Sequence, residues 1–400
     1  MSEKITRLIH HPYEAPTGFQ SPQVGIFKAS TVIFPNVAAL RSRDWRFKSG
    51  YTYGLHGTPS TFVLEERLAA LEGGAQCLLT PSGLSSIACV SLSLLRHGDE
   101  VLIPDNAYGP NKALALGELS HWGISHQFYD PMNPADLVGR ISARTRLVWL
   151  EAPGSVTMEF PDLIELVRCC REKGITTALD NTWGAGLAFQ PFELGHGLGV
   201  DISIQALTKY PSGGGDVLMG SVITRDEKLH LLLKQTHMRL GLGVGANDVE
   251  AILRALPSIE LRYLAHDQSA RQLARWCEQR DEIAQVLHPA LPGSPGHKHW
   301  KAVCTVGGGR AAGLFSIILK DRYNQAQVDR FCDSLSLFKL GYSWGGPISL
   351  VVPYDLAAMR SVRPKHLTAG TVVRFSVGLE HVADLEQDLA QALDRALTSS

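Results

Sequence analysis

No stretch of about 18 uninterrupted apolar residues occurs in this 400-residue chain, so a membrane-spanning helix is not expected. The first residues, MSEKITRLIHHP, contain no apolar segment of the kind found in secretory signals. No tract rich in lysine or arginine occurs either, and 38 basic residues are balanced by 39 acidic ones. Nucleic acids and membranes are therefore not expected as partners.

No Cys-x-x-Cys pair occurs among the seven cysteines, and their number is odd. A disulfide framework or a zinc site is therefore a poor interpretation, and no metal is expected. Reduced thiols in a cytoplasmic protein fit better.

Short apolar segments alternate with helical patterns between residues 60 and 224. This alternation predicts a mostly parallel sheet that is covered on both faces. The predicted strands are Gln76–Thr80, Glu100–Pro104, His126–Tyr129, Leu147–Glu151, Thr176–Asp180, Ile202–Leu207 and Leu218–Thr224. The predicted helices are Thr61–Glu72, Ser85–Leu95, Asn111–Ser120 and Leu163–Lys173.

The composition of the sequence and the pattern of its predicted elements divide the chain into an N-terminal arm and two domains. Residues 1–56 are rich in proline, glycine, serine and aromatics and form an N-terminal arm, and residues 57–246 form the α/β domain. A glycine-rich break, Leu240–Gly245, ends this domain. Residues 247–400 then form a smaller C-terminal α+β domain. Its predicted elements are a long helical stretch from Asn247 to about Arg280, strand Gly313–Leu319, helix Gln325–Ser336, strand Val372–Val377 and a final helix.

Polar features stand at the ends of predicted strands, where ligands bind in open α/β sheets. The small-residue turn Thr80-Pro-Ser-Gly-Leu-Ser-Ser86 leads into a helix whose first amides suit a phosphate. An ordinary capped turn is the alternative. Asp180, in Leu179-Asp-Asn-Thr-Trp183, is an ionisable residue at the end of an apolar strand, and a pyridinium nitrogen would be a good partner for it. A helix cap or a surface acid is the alternative.

Two basic residues also lie in or next to predicted apolar strands. Lys209 follows a buried strand, where desolvation lowers the pKa of an amine and makes it nucleophilic. A solvated lysine is the alternative. Arg374 lies inside the apolar segment Val372–Val377 and needs an anion, and a carboxylate fits its planar fork. An internal salt bridge is the alternative.

Together these motifs resemble the fold-type-I pyridoxal-phosphate enzymes, and more closely their trans-sulfuration (cysteine/methionine metabolism) family. The resemblance runs in order across nearly the whole chain. It implies a mostly parallel seven-stranded sheet domain with a smaller α+β domain. The segments that carry it are Tyr53-Gly54, Asp180-Asn-Thr-Trp183, Thr208-Lys209-Tyr210, Tyr342-Ser-Trp-Gly-Gly346 and Arg374 with Gly378-Leu-Glu380.

The resemblance implies the cofactor pyridoxal 5'-phosphate and the residues that hold it. Lys209 would bind it covalently and move protons, Asp180 would keep its pyridine nitrogen protonated, and Tyr108 would stack on its ring. The implied catalytic residues are Lys209, Tyr108 and Tyr53. The residues implied around the phosphate are Ser82, Gly83, Leu84 and Thr208, together with Tyr53 from the arm of a neighbouring subunit.

The resemblance also implies a substrate site. Arg374, helped by Ser343, would bind the substrate α-carboxylate, while Trp344 and Tyr342 would shape the side-chain pocket. Glu151-Ala-Pro-Gly154 and Tyr342-Ser-Trp-Gly-Gly346 are similar to the branch of the family that cleaves at the β-carbon. The implied activity is a carbon–sulfur lyase of methionine biosynthesis, converting cystathionine to homocysteine, pyruvate and ammonia.

Two positions depart from the family pattern. Leu55, followed by His56, occupies the place of a phosphate-binding arginine, and Asn111-Lys-Ala-Leu114 stands where β-cleaving relatives tend to carry an acidic residue. The second departure leaves room for a β-lyase or desulfhydrase that acts on cysteine or S-substituted cysteines. A regulatory or binding protein that keeps the fold is a further alternative. The arm implies at least a homodimer, and the family resemblance implies a homotetramer.

Overall fold

The computed structural model describes residues 3–13, 15–304, 308–361 and 364–397. Its helices are α1 (Lys4–Ile9), α2 (Val37–Arg41), α3 (Pro59–Glu72), α4 (Gly83–Leu94), α5 (Gly109–Leu114), α6 (Pro134–Arg140), α7 (Leu163–Glu172), α8 (Glu227–Leu240), α9 (Ala246–Ala255), α10 (Ile259–Cys277), α11 (His297–Val303), α12 (Gln325–Ser334), α13 (Leu356–Met359) and α14 (Val382–Leu397). Its strands are β1 (Gln76–Thr80), β2 (Glu100–Pro104), β3 (Ser125–Tyr129), β4 (Thr145–Glu151), β5 (Thr176–Asp180), β6 (Ile202–Ala206), β7 (Gly220–Thr224), β8 (Ile283–Leu287), β9 (Leu314–Leu319), β10 (Lys339–Leu340), β11 (Leu350–Tyr354) and β12 (Thr371–Ser376).

The larger sheet has seven strands in the order β1-β7-β6-β5-β4-β2-β3. Strand β7 runs antiparallel to both of its neighbours, and the other pairs are parallel. The predicted mostly parallel α/β sheet is thus confirmed. In register, Glu151 at the end of β4 is paired with Asp180 at the end of β5. This edge of the sheet carries the site described below.

The strands are apolar on both sides because each face of the sheet is covered. Side chains of a strand alternate between faces, and Val148 and Trp149 accordingly belong to two different buried clusters. Every residue of β2 and of β7 is buried. Two-sided burial explains why these strands read as continuous apolar runs rather than as alternating patterns.

A second sheet has the strand order β10-β11-β12-β9-β8. Its pairs are antiparallel except for β10 with β11. Helices α10, α12 and α14 pack with this sheet or with one another. Strand β12 carries Arg374, whose Cα lies opposite Val352 of β11 and Ser316 of β9.

The predicted long helical stretch from Asn247 to about Arg280 is helical from Ala246 to Cys277, but it is not one continuous α-helix. The structure has α9 and α10, separated by a 3-10 turn at Leu256–Ser258. Pro257 lies in this turn, and proline cannot donate the backbone hydrogen bond that a continuous helix requires there. The first half, α9, places Val249 and Ile252 in the same buried cluster as Leu64 of α3. A division of the chain at residue 246 therefore stays a prediction.

The predicted N-terminal arm contains the short helices α1 and α2 and carries exposed apolar side chains. Ile33 is 91% exposed and Phe19 is 61% exposed. In the described part of the chain, none of the helices has the length and apolar character needed to cross a bilayer. The seven cysteines are free thiols.

Candidate active site

A cavity of about 610 Å³ opens at the carboxyl ends of β4, β5 and β6 and reaches the smaller sheet. It brings together all but one of the predicted site residues. Those that line it are Ser82, Gly83, Leu84, Tyr108, Asp180, Thr208, Lys209, Tyr342, Ser343, Trp344 and Arg374. Tyr53 does not line it within the same chain; its side chain is 46% exposed on the arm.

The turn before α4 is built for close approach of a ligand to the backbone. Ser82 caps the helix, its hydroxyl accepting a hydrogen bond from the Ser85 amide at 3.0 Å. A Cβ on Gly83 would lie 2.7 Å from the Cβ of Ala206, so only glycine fits there. Because the first amides of a helix have no partner within the helix, this turn can bind a phosphate.

Asp180 is held in a fixed orientation by the residue two positions later. Its Oδ1 accepts hydrogen bonds from the backbone amide of Thr182 at 3.0 Å and from the Thr182 hydroxyl at 2.5 Å. The Thr182 oxygen accepts in turn from the Ala206 amide at 2.9 Å. Burial raises the pKa of Asp180, while the bonds from Thr182 and the charge of Lys209 oppose that rise. A cationic ring nitrogen is a suitable partner for such a carboxylate.

Lys209 follows β6 and extends its amine into the cavity. Nζ donates to the Ser343 hydroxyl at 2.7 Å and lies 5.4 Å from the centre of the Trp344 ring. Burial and the nearby positive charge of Arg374 lower the pKa of Lys209 to about 8, although Asp180 opposes the shift. The neutral, nucleophilic fraction of this amine near neutral pH is therefore larger than that of an ordinary exposed lysine.

Arg374 points into the cavity from the smaller sheet. Its residue is only 8% exposed, and Nε lacks a hydrogen-bond partner among the described residues. The guanidinium carbon lies 5.3 Å from the centre of the Tyr354 ring. A buried cation whose donors are not satisfied by the protein is suited to bind an anionic ligand.

Glu151 and Tyr354 line the cavity but were not among the predicted site residues. Glu151 is a partly buried residue whose Oε2 accepts a hydrogen bond from the Tyr108 amide at 2.8 Å. Burial and the adjacent charge of Asp180 raise the pKa of Glu151 well above its usual range. Tyr354 lines the cavity from β11, a strand that was not predicted. Glu151 could have been predicted from the sequence, because it ends an apolar strand as Asp180 does.

The residues present fit pyridoxal phosphate together with an amino acid. The helix start at Ser82 suits a phosphate, Asp180 suits a pyridine nitrogen, Lys209 suits an aldehyde carbon, and unsatisfied Arg374 suits an α-carboxylate. The cavity has the size expected of a small-molecule site.

The sequence model of the family described as "Cys/Met metabolism PLP-dependent enzyme" matches residues 5–394. The cystathionine beta-lyase of Bordetella avium is 37% identical over 407 aligned positions, covering 99% of this chain and 98% of the relative. The L-alanine/L-glutamate racemase of Wolbachia pipientis wMel is 34% identical, covering 92% of each. The crystal structure of metB from Corynebacterium glutamicum superposes with a TM-score of 0.88 at 26% identity, covering 98% of both chains.

Proposed function

This chain belongs to the pyridoxal-phosphate-dependent enzymes of cysteine and methionine metabolism, and we propose that it catalyses β-elimination of a sulfur amino acid, with cystathionine as its substrate. The products are homocysteine, pyruvate and ammonia. The observation that carries the proposal is the convergence of Lys209, Asp180 and Arg374 on one cavity beside the Tyr342-Ser-Trp344 segment. A relative named cystathionine beta-lyase that is similar over almost the full length supports this choice of substrate.

The cofactor, when bound, supplies an electron sink for the charge that develops on the substrate α-carbon. Asp180 keeps the ring nitrogen protonated. The Lys209 amine takes the proton from the α-carbon, the bond between Cβ and sulfur breaks with its electron pair on sulfur, and Lys209 returns a proton to the leaving sulfur. Water then hydrolyses the remaining three-carbon fragment to pyruvate and ammonia. The Ser343 hydroxyl, 2.7 Å from Nζ, orients the amine.

The direct test supplies the purified holoenzyme with cystathionine and measures thiol and pyruvate. Equal amounts of the two products are expected. A specific observation favours a second candidate, amino-acid racemisation, because a similar relative is named L-alanine/L-glutamate racemase. Racemisation also begins with removal of the α-proton but forms no pyruvate. Formation of D-alanine from L-alanine without pyruvate from cystathionine would therefore replace our proposal.

Cystathionine, cysteine and the S-substituted cysteines differ in the group that is attached to sulfur. The segment Asn111-Lys-Ala-Leu114 contains no acidic residue, so it offers no carboxylate to the distal ammonium group of cystathionine. The same assay with cysteine and with S-alkylcysteines measures how much the enzyme depends on that distal group. A higher kcat/KM for these compounds than for cystathionine would assign the enzyme to the cysteine desulfhydrase or S-conjugate class.

Replacing Arg374 with alanine is expected to raise KM for every amino-acid substrate by about tenfold to a hundredfold, the equivalent of a lost charge-assisted hydrogen bond. All substrates share the α-carboxylate, so the ranking among them should persist. Trp344→Ala, as the matched control in the same cavity, should instead change the ranking. Steady-state kinetics on cystathionine and S-methylcysteine provide the comparison. A changed ranking in Arg374→Ala with a preserved ranking in Trp344→Ala would reverse the two roles.

We also propose a homodimer at least, and a homotetramer in full assembly, in which Tyr53 reaches the cofactor phosphate of a neighbouring subunit. The exposed apolar side chains of the arm, such as Ile33, and the position of Tyr53 outside its own cavity support this assembly. A cytoplasmic location is part of the same proposal, supported by seven free thiols. Light scattering measures the assembly directly.

Leu55 occupies the arm position where a phosphate-binding arginine is expected, and it packs toward Gly243. Two nearby basic residues are poor substitutes. Arg46 forms an ion pair with Asp44 at 2.8 Å. Burial, with the nearby positive charge of Lys234, lowers the pKa of His56, which favours its neutral form. We therefore expect a cofactor pocket that binds the phosphate more loosely.

Leu55→Arg is accordingly expected to tighten cofactor binding, by about tenfold for each 1.4 kcal/mol gained. His56→Ala should change the affinity little. Titration of the apoenzyme with pyridoxal phosphate, followed by absorbance, measures both. A large loss of affinity in His56→Ala without a gain in Leu55→Arg would identify the histidine as the phosphate donor.

A further inference from the structure

A cluster of four charged side chains lies beside the active-site cavity, and the mechanism above does not use it. We call Asp105, Lys112, Glu159 and Arg360 the four-charge cluster. Asp105 follows β2, Lys112 lies in α5, Glu159 follows β4, and Arg360 follows α13. The cluster therefore joins the larger sheet to a segment that enters from the smaller sheet.

Arg360 lies between the two carboxylates. Its Nε is 3.3 Å from Oδ2 of Asp105, and its Nη1 is 3.2 Å from Oε1 of Glu159. The side chain of Arg360 is 5% exposed and that of Glu159 is 0% exposed. Lys112 completes the set, with its Nζ 2.8 Å from Oδ1 of Asp105. Two anions and two cations thus neutralise one another in a buried place.

The cluster binds the backbone around Arg360 on both sides. Lys112 donates to the carbonyl oxygen of Met359 at 2.8 Å. The Ser361 amide and hydroxyl each donate to the Asp105 carboxylate at 3.0 Å. The three residues 359–361 are therefore fixed to the larger sheet by side chains of that sheet's own loops. Met359 lines the active-site cavity.

The same charges hold two other loops that line the cavity. Asn106, two residues before the ring-stacking candidate Tyr108, donates to Oε2 of Glu159 at 3.0 Å. Gly154 also lines the cavity, and a Cβ on it would lie 2.0 Å from the side-chain nitrogen Nδ2 of Asn106. The loops that contain these two residues are therefore in contact. Three loops from different parts of the chain thus meet at one ionic centre.

The carboxylates of the cluster stay ionised at neutral pH. Burial opposes ionisation of Glu159, but a hydrogen bond with His366 and the charge of Arg360 lower its pKa to about 2. In Asp105 burial is likewise outweighed by the bonds from Lys112 and Ser361, and its pKa is lowered. Removing one partner from such a cluster leaves a buried charge unpaired, and the loops are expected to shift in response.

We propose that Arg360 is a positioning residue for the substrate, because it fixes Met359 and the adjoining strand residue Tyr354 as one wall of the cavity. This inference rests on the proposed β-elimination. Tyr354 packs over Arg374, with 5.3 Å between the ring centre and the guanidinium carbon, so a shift of the wall displaces the group that binds the α-carboxylate. The cofactor groups Asp180 and Lys209 come from other strands and are not held by the cluster.

Arg360→Met is expected to raise KM by about tenfold, the effect of weakening the charge-assisted hydrogen bond between Arg374 and the substrate α-carboxylate. Its kcat should change less than about threefold, and its cofactor affinity less than about twofold, because Asp180 and Lys209, the groups assigned to the ring nitrogen and the proton transfers, lie outside the cluster. The matched control is Arg271→Met, which removes a guanidinium from a buried carboxylate, Asp267, 2.5 Å away and outside the cavity. Arg271→Met should leave KM unchanged. Equal changes of KM in both variants would overturn the proposal.

Arg360→Lys keeps the charge but cannot reach both carboxylates, and it should give an intermediate KM. It also serves if Arg360→Met does not fold. Hydrogen exchange of the holoenzyme provides a second measurement: amides of residues 354–361 should exchange faster in Arg360→Lys than in wild type, while those of β6 should not. Unchanged exchange together with an unchanged KM in Arg360→Lys would overturn the positioning role.

Failure of the proposed function can be separated from failure of this inference. If wild type forms no pyruvate from any sulfur amino acid, binding of glycine, followed by the change in cofactor absorbance, replaces KM. Weaker glycine binding in Arg360→Lys but not in Arg271→Met would support the positioning role even then. Equal glycine binding in wild type and both variants would contradict it.

Discussion

Lys209→Ala is expected to reduce the rate of β-elimination by about 100-fold or more, because one side chain supplies both the cofactor attachment and the proton transfers. The surroundings of the amine lower its pKa and fix its position. Burial lowers its pKa to about 8, and the Ser343 hydroxyl accepts a hydrogen bond from Nζ at 2.7 Å. Arg374, the other basic residue among the described lining residues, is assigned to the substrate carboxylate and does not replace the amine.

The measurement has two parts. Pyruvate and thiol formation give the rate, and borohydride reduction followed by peptide mass mapping shows which lysine carries the cofactor. Wild type should be labelled at Lys209. Lys209→Arg is the control that keeps a positive charge but not the nucleophilic amine, and it should be as inactive as Lys209→Ala. Retention of more than about a tenth of the wild-type rate in either variant would refute this mechanism.

The larger sheet was predictable because its strands are buried on both faces. Gln76–Thr80, Glu100–Pro104 and Thr176–Asp180 have the bounds that the apolar runs predicted. A strand that is buried on both faces has apolar side chains at consecutive positions, so it appears in the sequence as a short uninterrupted apolar run. Flanking glycine, proline and aspartate residues then mark where each run ends.

Helix α8 and strands β8 and β11 were not predicted from the sequence, because their patterns of buried and exposed residues are irregular. Helix α8 buries His230, Lys234 and His237, so its inner face does not appear apolar in the sequence. Strand β11 contains Pro353, which argues against a strand, and two residues of β8 are not buried. In each case a contact made by the folded protein outweighs the local pattern.

The site was predictable where a polar residue interrupts an apolar run, as Asp180 and Arg374 do. Tyr354 could not be found in this way, since a tyrosine beside valines is ordinary strand sequence. Arg360 could not be found either, because its partners Asp105 and Glu159 lie more than 200 residues away in the chain. Contacts between distant segments are set by the packing of the two sheets rather than by any local pattern.

Asp180→Asn is expected to slow β-elimination by about 100-fold, a loss typical of removing one preorganised electrostatic group. Two carboxyls stand side by side at the sheet edge, paired in register as Glu151 and Asp180. Like charges this close do not both ionise readily. Burial raises the pKa of both carboxyls, but that of Glu151 is raised well above its usual range with the Asp180 charge adding to the effect, whereas hydrogen bonds from Thr182 and the charge of Lys209 oppose the rise in Asp180. We therefore assign the proton to Glu151 and the charge to Asp180.

Glu151→Gln is the matched control, because glutamine has the shape and neutrality of a protonated glutamic acid and can still accept the hydrogen bond from the Tyr108 amide. It should retain most of the activity, while Asp180→Asn, an equally conservative change of shape, should not. Cofactor titration of both variants checks that loss of activity is not loss of binding. The assignment is reversed if Glu151→Gln is the slower variant, and it fails if both retain near-normal rates, since another group would then keep the ring nitrogen protonated.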